Sequence, residues 1–165
     1  MTHLRVKMLE ELQRRNYSHR TAKMYLRIIG EFAEHFHRSP DKLGPEHIRQ
    51  YQVHLFQAKK LTPTSVAQCT SALRFFYVKT LRRHFLAEHI PFPKLYKQLP
   101  TVLSREEVAR LMDSASNLYH HTLLMTLYST GMRRAELCRR RVNDIDSRRM
   151  VIRIQQGKGE IAKYL

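Results

Sequence analysis

Acidic residues are scarce in this chain. Its 165 residues hold 14 Asp and Glu against 30 Lys and Arg, a formal net charge of +16. That excess disfavours cationic partners and points to a polyanion, since counterion release from phosphates drives such association. DNA or RNA fits best, ahead of an anionic membrane surface. Cysteine is nearly missing too. Cys69 and Cys138 alone, each within an apolar helix-like pattern, exclude a disulfide framework and read as reduced, buried thiols. No apolar run is long enough to cross a bilayer, and Met1–Lys7 lacks the apolar core of a signal peptide. A cytoplasmic protein with no membrane partner is expected. His35, His37, His120 and His121 lack the spacing and the Cys or acidic partners of a closed metal site. No metal and no cofactor are expected, and these histidines read as solvated or facing nucleic acid. Hydrophobic residues, by contrast, make up 42%, enough to bury a core rather than leave a disordered basic tail.

The first half reads as a helical bundle. Leu4, Met8 and Leu12 recur at helical spacing between about Thr2 and Arg15, with Asn16 as a stop. Ser18 caps a second helix with the inward stripe Ala22, Tyr25, Ile29, Phe32, Ala33 and Phe36. Arg20, Lys23 and Arg27 fall off that stripe and form a basic ridge. Gly44-Pro45 opens a third helix facing inward with Ile48, Tyr51, Leu55 and Phe56, and Thr62-Pro63 opens a fourth. The fourth buries Val66, Cys69, Leu73, Phe76, Tyr77 and Leu81, and leaves Arg74, Lys79, Arg82 and Arg83 for other surfaces. Tyr17, Tyr51 and Tyr77 read as core residues. The prolines from Ile90 to Pro100 forbid a continuous helix, so residues 89–100 read as a linker, with Lys94 suited to a phosphate backbone.

The second half changes character. Ser104-Arg105-Glu106-Glu107 is a capping box for a helix burying Val108, Leu111 and Met112. A further helix runs from about Leu118 to Ser129 and stops at Gly131. Beyond it, Thr130-Gly131-Met132-Arg133-Arg134-Ala135-Glu136-Leu137 predicts a tight turn into a helix carrying Arg133 and Glu136. Val151–Ile154 reads as a strand leading to a turn tipped by Lys158. An arginine and a lysine on two rigid elements of a basic protein suggest a phosphate clamp. Gly157-Lys158-Gly159 is no nucleotide-binding P-loop, because the upstream Gly and downstream Ser/Thr are missing. Within Arg139-Arg140-Arg141, a solvated face and a nonspecific phosphate contact are equally compatible with the sequence.

These residues resemble the tyrosine recombinase (phage integrase) family. The match to Thr-Gly-Leu-Arg-x-x-Glu-Leu is close, with Met132 replacing the usual Leu. Asn143-Asp144-Ile145-Asp146 resembles the family's helix-to-strand corner, Gly157-Lys158-Gly159 its lysine-bearing turn, and Leu99-Pro100 through Val108 the entry to its catalytic domain. Tyr17–Ala22 and Ser71–Tyr77 are similar to the core-binding domain that clamps the opposite face of DNA. Arg140 stands where the family usually buries a leucine.

The resemblance implies a mainly α chain: a four-helix SAM-like core-binding bundle at 1–88, a linker at 89–100, and at 101–165 the start of an α+β catalytic domain with a short β-hairpin. It implies DNA strand exchange in site-specific recombination and integration of a mobile element. In the family a tyrosine attacks the scissile phosphate and conserves its energy as a phosphotyrosyl bond. By resemblance Arg133 grips the non-bridging oxygens, Lys158 protonates the leaving 5′-oxygen and Glu136 supports the site. Arg20, Lys23, Arg27, Arg74, Lys79, Arg82, Arg83 and Lys94 are the expected DNA contacts. The expected partner is double-stranded DNA, on which the family assembles as tetramers. The His-x-x-Arg motif and the late nucleophilic tyrosine are not found in the sequence, and Tyr164 lies too early to replace the latter. The expectation is thus a chain cut short within the catalytic domain and inactive alone. A noncatalytic protein occupying or regulating a recombination site is the alternative, and an RNA-binding helical protein a third reading.

Overall fold

Start and stop signals place the helices. The computed structural model describes residues 3–96 and 99–153, and is mainly α. It divides into two compact units, Met1–Gln98 and Leu99–Leu165.

In the first unit α1 (His3–Arg14) gives way to a turn at Asn16, which takes a left-handed φ of 54° that asparagine tolerates better than most residues. The Ser18 hydroxyl accepts from Thr21 N to start α2 (His19–His35), and Pro45 occupies the first turn of α3 (Pro45–Gln57). The Thr62 hydroxyl accepts from Ser65 N to start α4 (Pro63–Arg74). Met8, Leu12, Phe32, Ile48, Tyr51, Leu55, Val66 and Leu73 interlock in one core. Each such fully buried side chain contributes about 1.5–3 kcal/mol, so this unit has the means to hold itself together.

The fourth helix departs from the expected α periodicity. From Phe75 to Thr80 it widens into a π-helical turn. In an α-helix three successive residues cannot all face one neighbour, yet Phe75, Phe76 and Tyr77 are all buried here. The widened turn and the elements packed around it accommodate the aromatic run. Beyond it a 3₁₀ turn, His84–Ala87, inserts Leu86, and Ile90 follows it into the core. Packing therefore continues past residue 88 into the proline segment.

Two inward assignments in this unit are corrected. Phe56 is exposed, because it follows Leu55 by a single position and so points about 100° away from the core. It borders a surface recess with Pro91 and Phe92. Tyr17 is 39% exposed and packs only its ring, edge-on to Phe75 at 5.4 Å.

The second unit opens with the expected capping box. Ser104 Oγ accepts from Glu107 N at 3.2 Å, and Glu107 Oε2 accepts from Ser104 N at 2.7 Å. This starts α5 (Arg105–Asp113), and Asn117 caps α6 (Leu118–Thr130). The four-residue α7 (Arg134–Leu137) and a 3₁₀ turn, Val142–Asp144, lead to β1 (Ile145–Asp146) and β2 (Val151–Ile152). The strands pair antiparallel, Ile145 opposite Ile152 and Asp146 opposite Val151. The predicted turn at Gly157-Lys158 lies outside the described residues, as does Tyr164.

Met132 is the one buried residue among those described in this unit. Val108 and Met112 are half-buried, but Leu111 is exposed, against expectation, since it sits beside their i, i+4 line. Cys138 is exposed rather than buried: α7 ends at Leu137, so Cys138 caps the helix instead of extending an apolar face. Cys69 is half-buried.

Candidate nucleic-acid interface and phosphate site

A chain of short-range hydrogen bonds turns α6 into α7. Gly131 adopts φ 61° and closes α6 through Gly131 N to Leu127 O at 3.0 Å. Glycine suits this left-handed position because it has no Cβ to clash. The Thr130 hydroxyl donates to Thr126 O and accepts from Met132 N at 3.2 Å, so the turn is braced on both sides.

Arg133 is the residue that precedes α7. Glu136 Oε2 accepts from Arg133 N at 3.0 Å, and its Oε1 accepts from Arg133 Nη1 at 2.8 Å. The carboxylate is the fixed member: 14% of the Glu136 side chain is exposed, against 68% for Arg133. A guanidinium offers five N–H donors, and this pairing engages one of them at the tip. The remaining fork faces solvent, held at its root and open to an anion. Of the expected catalytic residues the structure thus brings Arg133 and Glu136 together. Lys158 lies outside the described residues.

The three consecutive arginines separate. Arg139 and Arg141 are exposed, while Arg140 lies inward, its Nε donating to Glu136 O at 3.0 Å.

The expected DNA contacts of the first unit also sort into groups. Arg20, Lys23, Lys79 and Arg82 are exposed and have no ion pair among the described residues. Arg27 shares Glu31 with Lys59, at 3.5 and 3.3 Å. Arg74 lies over the Phe92 ring at 5.2 Å and donates to Ile90 O at 3.4 Å, holding the proline segment on the bundle. Arg83 Nη1 donates to Asp41 O at 2.7 Å. Lys94 lies over the Tyr96 ring at 5.4 Å.

Lys79 borders two recesses. One, of about 420 Å³, is lined by Tyr17, Tyr25, Arg74, Phe75 and Phe92. The other, about 330 Å³, is lined by Arg14, Arg15, Arg82 and His84. The result is a run of cations beside aromatic edges, suited to a phosphate backbone. Arg14, Arg15 and His84 were not expected there. Glu11 binds both arginines, and the Arg14 hydrogen bond holds its carboxyl below the usual range. The Arg14-Arg15 pair at the end of α1 was the available sequence signal.

Among the described residues no group of three His, Cys, Asp or Glu could hold a metal ion, and no helix is long and apolar enough to cross a membrane.

Two family models match the chain: the N-terminal SAM-like domain of phage integrases over residues 4–85, and the phage integrase family over residues 101–165. An integrase/recombinase of Sinorhizobium fredii (y4qK) is 45% identical over 166 residues, covering 100% of this chain and 54% of that protein. The chain belongs to the tyrosine recombinase family. Another relative, the tyrosine recombinase XerC of Bacillus subtilis, is 33% identical, covering 92% of this chain and 53% of its own length. The solved structure of XerA recombinase is 27% identical, covering 97% of this chain and 57% of that one, with a TM-score of 0.49. This tyrosine recombinase chain spans about half the length of the curated relatives it matches.

Proposed function

We propose that this chain binds double-stranded DNA and acts in site-specific recombination and integration of a mobile element, with Arg133 as the arginine that grips the scissile phosphate. The observation that carries this reading is the Arg133–Glu136 pair: an exposed guanidinium anchored at 2.8 Å by a largely buried carboxylate. In strand transfer a tyrosine oxygen attacks phosphorus and the 5′-oxygen leaves. The pentavalent transition state carries extra negative charge on its non-bridging oxygens. Two oriented donors that never lose their protons stabilise that charge, and a pre-set fork does so without reorganising. Glu136 is the supporting residue, and Lys158 the acid that protonates the leaving oxygen. The nucleophile is assigned to no residue of this sequence. The exposed cations Arg20, Lys23, Lys79 and Arg82, with Arg27 and Lys94, supply backbone contacts. Arg74 and Arg83 add charge at the edge of that surface. The protein works in the cytoplasm as a homo-oligomer on DNA.

Gel shifts with duplex DNA and structured RNA across a salt series test the partner. Duplex should bind more tightly, with affinity falling steeply as salt rises. Stronger binding to RNA overturns the proposal. A nicked suicide duplex tests cleavage: no covalent protein–DNA band is expected. A band lost in Tyr164→Phe would place the nucleophile there. Binding without a band is also the signature of the alternative role, occupancy or regulation of a recombination site.

A further inference from the structure

Arg140 turns its side chain inward between two exposed arginines. Only 8% of its side chain is exposed, and its donors reach three separate pieces of the second unit. Nε donates to Glu136 O in α7 at 3.0 Å. Nη1 donates to Arg153 O, just past β2, at 2.6 Å. The same nitrogen lies 3.8 Å from Asp144 Oδ2 in the 3₁₀ turn, a carboxylate oxygen that also accepts from Arg141 N at 2.9 Å.

Both carbonyls stand where regular structure runs out. Glu136 O belongs to the last turn of α7, where carbonyls lack a full set of intrahelical partners. Arg153 follows the last residue of β2. Meeting two such acceptors in different directions takes a planar fork with diverging donors, which lysine lacks. The burial of the cation is compensated by Asp144 and by those two carbonyls, without which it would be strongly unfavourable.

The geometry assigns Arg140 a positioning role: it ties the turn holding Arg133 to the strand that precedes Lys158 in sequence. Glu136 is common to both arginines. Its carboxylate anchors Arg133 and its carbonyl is anchored by Arg140. Arg140 acts through Glu136 on one side and Arg153 on the other. This role rests on the reading of Arg133 as the phosphate-binding arginine. Small displacements there have large consequences, because a misplacement of about 1 Å can cost about a hundredfold in rate.

Side-chain NMR on the full chain, with orthovanadate as phosphate mimic, tests the assignment. In the unaltered protein the Arg140 Nε–H should exchange on the order of tenfold more slowly than those of Arg139 and Arg141. Equal exchange overturns the tie, without any variant having to fold. Arg140→Met keeps the apolar stem and removes the donors, and Arg140→Lys keeps the charge without the fork. Both should speed exchange of the Ile152 and Arg153 amides and weaken vanadate binding, read at the Arg133 Nε resonance, by on the order of tenfold. Faster exchange with unchanged vanadate affinity would reduce Arg140 to a structural brace and overturn the positioning role. Arg133→Ala separates the two ideas. If vanadate binding, followed in this variant by the vanadium-51 resonance of the ligand, stays intact, the phosphate reading fails and the positioning role with it, while slow exchange at Arg140 still establishes the tie.

Discussion

Tyr77 donates its hydroxyl proton to the carbonyl oxygen of Pro40 at 2.7 Å, tying the π-helical turn to the loop between α2 and α3. The Leu43 carbonyl lies 3.1 Å from the same hydroxyl. Tyr77→Phe keeps the ring and its packing, and leaves both acceptors without this donor. It should destabilise the first unit by about 1–3 kcal/mol, because the buried Leu43 carbonyl loses this donor, while Pro40 O keeps the bond from Leu43 N at 3.3 Å. Urea unfolding should show a lower midpoint with an unchanged slope. A midpoint equal to that of the parent would mean the carbonyls find other donors at no cost.

Burial also sets a pH response. It pushes the Tyr77 and Tyr51 hydroxyls well above the ordinary tyrosine range. Unfolded tyrosines ionise near pH 10. Between that pH and the raised folded values, the unfolded chain sheds protons that the folded one retains. The stabilising contribution is therefore complete below about pH 10 and is lost as pH rises towards the folded values. The urea midpoint should fall above about pH 10, and Tyr51→Phe should flatten the fall. A midpoint independent of pH across that range would contradict the burial of both hydroxyls.

How much of this was legible follows from the range of the interactions. Ser18, Thr62 and Ser104 announced their helices because a cap is a contact within three residues. Arg133 and Glu136 were legible for the same reason, being one helical turn apart. The widened turn at Phe75 was not, because what fills its surroundings comes from elements far along the chain. Arg74 and Arg83 read as surface cations until the Ile90 and Asp41 carbonyls came into place beside them. Leu111 and Cys138 read as buried because periodicity shows a face without showing what covers it.

Thr80 sits in the π-helical turn with its hydroxyl buried and without a hydrogen-bond partner among the described residues. A threonine hydroxyl in an α-helix usually bonds a carbonyl one turn back, as Thr126 bonds Thr122 O at 2.7 Å. In the widened turn that pairing is not made. Thr80→Val preserves the β-branched shape and removes the desolvated hydroxyl. It should raise stability by about 1 kcal/mol and the melting temperature by several degrees. A loss of stability would reveal a partner for that oxygen, such as an ordered water.

Charge on the bundle surface separates into two kinds, and salt distinguishes them. Arg20 and Lys23 are exposed and unpaired among the described residues, so their removal costs the folded protein little. If they neutralise phosphates, each alanine variant should lower the slope of log affinity against log salt by about 1, with unchanged melting temperature. Arg83 should behave in the opposite way. Its guanidinium is the donor to Asp41 O at 2.7 Å, beside the loop that Tyr77 also holds. Arg83→Ala should lower the melting temperature, by about 1–3 kcal/mol of lost stability. Its effect on the salt slope should be smaller than that of Arg20→Ala, because its charge is already directed inward. Equal slopes for the two variants would place Arg83 on the phosphate backbone and make the Asp41 contact incidental.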